Sequence, residues 1–344
     1  MIKDFVTILT PAYNAEHLIF RLLNSVLEQT YDKISMIVVN DGSTDNTIDV
    51  VKSYATKFEK RGYYLKIISQ KNSGQASAIN NGLKYVDGEY LVWPDSDDWY
   101  ASPKAIEKLV NALKRYGDDV GVSRCAYNRV MENSMETIKV TYPHMGKEPK
   151  NIFDETIKGS PIFWFEPGGW MVKTKFLDDI IPGREIYCSP LTGQNTQLLW
   201  PYLFYKKCIA IEEPLFSYLI RENSHSRGFF KDLNKKLVQQ DEIYKTYNTV
   251  ISSLHGLDEN KKIEYLNLKK SDILINKINI CRNFRDYKKM SYFYKIYIEK
   301  CNSGEIINNV PQRDKFIYTL YRIPILRNFV DILLRVFKAF RRVL

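Results

Sequence analysis

The chain has 344 residues, 44% of them hydrophobic and 13% aromatic, enough to bury a large core in one big domain with an appendage or in two medium domains. Lys and Arg number 50 against 40 Asp and Glu, and the resulting +10 suits a nucleic acid, an anionic membrane surface or a phosphorylated substrate. Five cysteines (Cys125, Cys188, Cys208, Cys281, Cys301) stand far apart and form no CxxC pair, which excludes a disulfide frame and a zinc knuckle and reads as a reduced, cytoplasmic protein.

The start, "MIKDFVTILTPAYN", has no charged leader followed by a long apolar stretch, so no signal peptide is expected. No window offers the roughly 20 uninterrupted apolar residues of a spanning helix. "FVTILT" is a β-branched strand ended by Pro11, and "AEHLIFRLLNSVLEQ" carries apolar residues at helical spacing. "KISMIVVN" is a second strand, after which Ser43 or Thr44 is placed to cap the helix "TIDVVKSYATKF". "YLKIIS" and the helix "ASAINNGLKYV" follow, then "EYLVWP" and "SPKAIEKLVNALKRYG", with Pro103 opening the last helix. This rhythm predicts an α/β fold built of right-handed βαβ units around a mostly parallel sheet flanked by helices. Ligands of such sheets bind beyond the carboxyl ends of the strands, so "TPAYN", "NDGSTD", "QKNSGQ" and "PDSDD" should line one crevice.

From Val120 to Arg227 the pattern is less periodic, with strand-like "VGVSRCAYNRVM" and "CIAIEEPLFSYLI" and a loop "FEPGGW". Beyond about Gly228 it changes to long, polar-rich helical stretches such as "KDLNKKLVQQDEIYKTYNTVISSL". The boundary is set there: 1–227 as the binding and catalytic domain, 228–344 as a helical C-terminal region.

"VWPDSDDWY" crowds Asp95, Asp97 and Asp98 at the end of a buried-type strand. A hard cation such as Mg²⁺ or Mn²⁺ takes oxygen ligands, often one or two carboxylates plus substrate phosphates, and an Asp-x-Asp supplies that partial shell. The plainer alternative is a solvated acidic turn before the next helix. Asp41 can accept from the N3–H of a uracil with Tyr13 stacked on the ring, or it can simply belong to an Asx turn. "KNSGQ" can aim backbone N–H groups or Lys71 at a phosphate.

Together "VTILTPAYNAEHLIFRLLNSVLEQTY", "IVVNDGSTDNT", "NSGQASAINNGL", "GEYLVWPDSDDWY" and "EEPLFSYLIRENSHSR" resemble family 2 glycosyltransferases of the GT-A fold, most closely over residues 4 to 130. The resemblance implies an inverting, metal-dependent transferase that takes a sugar from an NDP-sugar, usually UDP-linked, with Mn²⁺ or Mg²⁺. It puts Pro11, Tyr13, Asn14 and Asp41 at the nucleoside and Asn72, Gly74 and Gln75 along the donor. Asp95-Ser96-Asp97 becomes the DxD, with Asp97 the foremost metal ligand and Asp95 a ribose or sugar contact and second ligand. Asp98 is the next carboxylate in reach of sugar hydroxyls or nearby waters. Arg221 and His225 fall in a stretch that closes over the donor phosphates, with His225 a third ligand or a diphosphate donor.

The family's general base is usually the Asp of a Glu-Asp pair, where this chain has Gln194-Asn195. An amide has no useful basicity, so Asn195 is left to orient an acceptor hydroxyl or cap its helix, and Glu185 and Glu166 are the acids that can substitute.

The final stretch, "YRIPILRNFVDILLRVFKAFRRVL", places Leu326, Phe329, Val330, Leu333, Phe337, Phe340 and Leu344 on one helical face, with six basic residues against one acid from Tyr318 onward. Such a helix suits the anionic inner face of the plasma membrane, or docks on its own domain or a second subunit of a homo-oligomer. The expectation is a peripheral enzyme that extends a lipid-linked capsular or cell-wall glycan, or else a protein-bound one. A nucleotidyltransferase or a dinucleotide-dependent oxidoreductase is disfavoured because "TPAYNAEHL" has no glycine-rich loop after the first strand. Nucleic acid is disfavoured because the charge sits on the tail. A sugar-nucleotide-binding protein that has lost its base is the non-enzyme alternative.

Overall fold

A computed structural model describes residues 1–159, 166–221, 232–307, 318–321 and 323. The alternating strands and helices form β1 (Ile2–Ala12), α1 (Ile19–Leu27), β2 (Ile34–Asn40), α2 (Thr47–Ser53), α3 (Ala55–Lys60), β3 (Tyr64–Ser69), α4 (Gln75–Leu83) and β4 (Gly88–Val92). There follow β5 (Trp99–Tyr100), α5 (Ala105–Lys114), β6 (Val120–Met131), β7 (Thr137–Thr141), α6 (Phe153–Ile157), β8 (Trp170–Lys173), α7 (Leu177–Ile180), α8 (Asn195–Tyr205) and β9 (Lys207–Ile220). Among the described residues the nine strands make one sheet in the order β3-β2-β1-β4-β8-β6-β9-β5, with β7 on β6. The first four strands are parallel, whereas β8 enters antiparallel between β4 and β6. This is a mixed α/β sheet flanked by helices.

Side-chain alternation along β1 explains the layers. Val6 and Ile8 point to one face with Met36, Val38, Tyr90 and Val92, where Leu22 and Val26 of α1 and Ile106 and Leu109 of α5 complete a buried core. Leu9 and Val39 point to the other face, and α4 can lie on them because Gly82 carries no Cβ to strike Leu9. The parallel register aligns Ala12, Asn40 and Ser69, so three strand ends open on one edge, with Val92 ending nearby.

Two local expectations are corrected. β1 continues through Pro11, which pairs with Val39, because the β4 ladder has already ended at Ile8–Val92 and the missing N–H faces no partner strand. The turn before α2 is tied by Asp45, not by Ser43 or Thr44: its Oδ1 accepts from the Thr47 N–H at 3.0 Å and from the Thr47 hydroxyl at 2.5 Å.

The chain divides into two compact units, Met1–Phe229 and Phe230–Leu344. In the second, α9 (Leu233–Ser253), α10 (Glu259–Asn283) and α11 (Tyr287–Asn302) share a core of Leu237, Ile278, Cys281, Met290, Tyr294 and Tyr297. Each helix is started by an aspartate cap: Asp232, Asp258 and Asp286 accept from the N–H of Lys235, Lys261 and Lys289. Apart from Tyr318–Tyr321 and Ile323, the basic apolar tail lies outside the described residues. Among the described residues no helix is long and apolar enough to cross a membrane.

Gly168 sits where any Cβ would run into the Phe216 ring and within 2.9 Å of Pro94 Cβ. Phe216 is fully buried and has no room to yield. Gly168→Ala should therefore cost about 1–3 kcal/mol in urea unfolding. Gly117→Ala, which meets nothing within 4 Å, should stay within about 0.5 kcal/mol of the parent.

Candidate active site

The four strand-end loops are laced together by side chains that each loop supplies to the next. After β1, Asn14 takes a left-handed conformation (φ 48°), donates its N–H to Ser43 Oγ at 3.1 Å and accepts from the Thr44 N–H at 2.8 Å. Tyr13, beside this stitch, is 42% exposed, while Pro11 is buried within the sheet. Gly42 (φ 71°) is required at its turn, since a Cβ would lie 2.6 Å from the Asn72 nitrogen.

Asp41 is only 4% exposed and already holds three donors: Gln70 Nε2 at 2.9 Å, the Ser73 N–H at 2.9 Å and the Gly74 N–H at 2.8 Å. A carboxylate has roughly four acceptor positions. Asp41 is therefore first the knot that shapes the 70–74 loop, with little left for a nucleobase. Gln70, which sequence reasoning passed over, is part of that knot: it also donates to Ser77 Oγ and accepts from Asn81. Asn72 and Gln75 are exposed beside it.

At the end of β4, Asp95 faces Gln75. Its Oδ1 accepts from Gln75 Nε2 at 2.6 Å and from the fully buried Gln194 Nε2 at 3.4 Å. Ser96 is half-buried. Asp97 Oδ2 pairs with Arg221 Nη2 at 2.6 Å, the two side chains 18% and 25% exposed. Asp98, expected as a ligand contact, is placed as a tie between the acidic turn and β9. It is fully buried, and its Oδ1 accepts from the Leu219 N–H at 2.8 Å, binding the acidic turn to β9.

Glu166 lies 6% exposed just before the turn Pro167–Gly169, whose Gly168 packs beside Pro94, the neighbour of Asp95. Among the described residues its Oε2 meets no hydrogen-bond donor. The Tyr127 phenol lies alongside and favours the ionised carboxylate, offsetting part of the effect of burial, without closing a well-formed bond. Glu185 stands apart, exposed on the loop after α7, where Asn80 of α4 holds the next residue through the N–H and carbonyl of Ile186. Asn195 opens α8, half-buried beside Gln194. His225 lies outside the described residues.

Crowding shifts the acids. Burial and the adjacent Asp97 push Asp95 up to about 7, although part of its surface stays open to solvent. Burial pushes Glu166 up to about 7, and burial with Asp97 and Asp95 raises Asp98 well above the usual carboxylate range. Tyr218, enclosed against the same four carboxyl groups, is also raised, by burial first. No group of three or more metal-type ligands is assembled among the described residues. Asp95 and Asp97 nevertheless put two hard oxygen donors on one turn, the partial shell that suits a cation shared with a diphosphate.

The profile of Glycosyl transferase family 2 matches residues 7–180, and the chain belongs to that family. Over 232 residues it is 28% identical to "Glycosyltransferase GlyA" of Streptococcus pneumoniae, which covers 66% of this chain and 32% of the relative. Over 160 residues it is 34% identical to "Putative glycosyltransferase EpsH" of Bacillus subtilis, covering 45% and 44%. The chain thus spans less than half the length of these relatives. Among solved structures, S. aureus TarS 1-349 in complex with UDP-GlcNAc aligns with a TM-score of 0.59 at 18% identity, covering 87% of this chain and 92% of that one. The mannosyltransferase PcManGT from Pyrobaculum calidifontis, in complex with GDP-Man and Mn²⁺, aligns at 0.51 and 16% identity, covering 96% and 88%. At these identities the likeness is one of fold.

The raised carboxyls give a pH signature. Asp95 and Glu166 hold protons more tightly folded than unfolded, so from about pH 4 to 7 the folded state binds the extra protons and stability falls as pH rises. The lowered groups, such as Asp4 and Asp45, act only in more acid solution. Ligand-free protein should melt several degrees higher at pH 5.5 than at pH 7.5, and Glu166→Gln should shrink that gap. A melting temperature that climbs over this interval would contradict the placement of these acids.

Proposed function

We propose that the first unit moves a sugar from a nucleoside-diphosphate donor, UDP-linked, to a hydroxyl of a saccharide or lipid-linked saccharide, with inversion, in building a bacterial capsular or cell-wall polysaccharide. The carrying observation is the pair of carboxylates, Asp95 and Asp97, held on one turn at the strand edge shared with Tyr13 and the 72–75 loop. The nucleotide-sugar complexes of both fold neighbours support a nucleoside-diphosphate donor, and the UDP-GlcNAc complex of TarS supports a UDP-linked one.

Asp95 and Asp97 would hold Mn²⁺ or Mg²⁺, which when bound offsets the negative charge of a diphosphate. The exposed Tyr13 ring offers a stacking surface for the base, with Asp41 at its edge through its remaining acceptor position. Asn72, Gly74 and Gln75 border the donor, and Arg221 offers a guanidinium to the diphosphate.

A new bond forms between the acceptor oxygen and the anomeric carbon as the bond from that carbon to the diphosphate breaks. The diphosphate departs with the electron pair, and the acceptor proton needs a base. Glu166 takes that role in this reading, because an acid held near 7 is matched to proton transfer at neutral pH. Asn195 orients the acceptor. Glu185, exposed on its loop, is given no part.

The second unit carries no assigned chemistry. Its terminal sequence, basic on one helical face and apolar on the other, would hold the enzyme at the anionic cytoplasmic membrane surface.

Asp97→Ala should abolish transfer from UDP-sugars while leaving the melting temperature within a few degrees of the parent. Transfer that survives both this change and excess chelator would sink the metal assignment. Glu166→Gln should lower kcat by about 10²–10⁴ with UDP affinity retained. Wild-type protein that binds UDP-sugar with Mn²⁺ yet neither transfers nor hydrolyses it would instead favour the non-enzyme alternative.

A further inference from the structure

Arg221 follows the last residue of β9 and lays its guanidinium on the very carboxylate assigned to the cation. Nη2 stands 2.6 Å from Asp97 Oδ2, and both side chains are mostly enclosed. The fork is incompletely used. Among the described residues the enclosed Arg221 Nε meets no acceptor, although a guanidinium is built to grip two oxygens at once. Asp95, the other carboxylate of the pair, is occupied only by neutral amides, from Gln75 and Gln194. Among the described residues Arg221 is therefore the cation that pairs with this carboxylate pair.

We infer that Arg221 and the divalent cation compete for Asp97, and that a diphosphate resolves the competition by drawing the guanidinium, with its unused Nε–H, onto its own oxygens. This inference rests on the donor-and-cation reading above and adds a positioning role for Arg221. Two cations cannot share one carboxylate oxygen without strong repulsion at this separation. With no diphosphate, the arginine holds the site near electrical balance and the cation gains little by entering. With one, the diphosphate brings the negative charge that both cations need. Cation and donor then bind together, and the carboxylate pair is kept from taking up free divalent metal.

The coupling is measurable without turnover. Free Mn²⁺ is followed by electron paramagnetic resonance in the full chain, with and without UDP, for the wild type, Arg221→Gln and Arg221→Lys. Wild type should bind Mn²⁺ at least tenfold more tightly with UDP than without. Arg221→Gln should bind Mn²⁺ alone about tenfold more tightly than wild type, and UDP should then improve its Mn²⁺ affinity much less. Arg221→Lys, which keeps the charge, should bind Mn²⁺ alone as weakly as wild type.

Equal Mn²⁺ affinity with and without UDP in the wild type overturns the competition, and this needs no variant to fold. So does an Arg221→Gln protein, folded by circular dichroism, whose affinity for Mn²⁺ alone is unchanged or weaker. If wild type binds UDP but takes up no Mn²⁺ in either condition, the cation reading itself fails, and the competition with it.

Discussion

Repulsion among the carboxyl groups at the end of β4 is the constraint around which the first unit is arranged. Asp95, Asp97 and Asp98 fall within four positions, and Glu166 is brought close by a turn that packs beside Pro94. Each is answered differently. Asp98 is sealed in with only its Oδ1 holding a backbone N–H, Asp95 takes two side-chain amides and Asp97 a guanidinium, while burial pushes Glu166 toward its neutral form. Like charges that cannot all ionise separate their titrations, and acids with different protonation at neutral pH are suited to different tasks.

The sheet makes this concentration possible. Parallel strands bring four loops to one edge, and those loops are fastened to each other. Asn14 binds the Ser43–Thr44 turn, Asp41 gathers the 70–74 loop, and Gln75 reaches Asp95. Nearly every polar group that shapes the crevice is therefore committed to another loop. Tyr13 and Asn72 are left exposed, free for the base and donor contacts that the proposed reading gives them.

Much of this was legible because the signals were local. β-branched runs marked β1 to β4, and the rule that ligands gather at strand ends brought their four loops together. The misreadings were local too. Pro11 reads as the end of a strand whose neighbour has already left, and Ser43 or Thr44 reads as a cap because nothing nearby shows that Asp45 turns back on Thr47. What could not be read depends on distant chain. That Asp98 is buried follows from Leu219, and that Gln194 meets Asp95 follows from a contact 99 positions away. The reach of the resemblance toward His225 ends in residues outside the description.

Gln194 shows why the departure from the family's acidic pair is coherent. It is fully buried at the start of α8, with its amide nitrogen toward Asp95. A glutamate there would set a further buried negative charge against Asp95, whose proton affinity is already raised by burial and Asp97. It would also replace a donor with an acceptor at a carboxylate that needs donors. The amide avoids both effects and leaves Asp95 easier to ionise. On the proposed reading the acid missing from this helix has its counterpart in Glu166, whose turn is anchored by Gly168 against Phe216 and Pro94. The base would then have moved from one element to another without adding charge to the cluster, the vacated position having become a hydrogen-bond donor to Asp95.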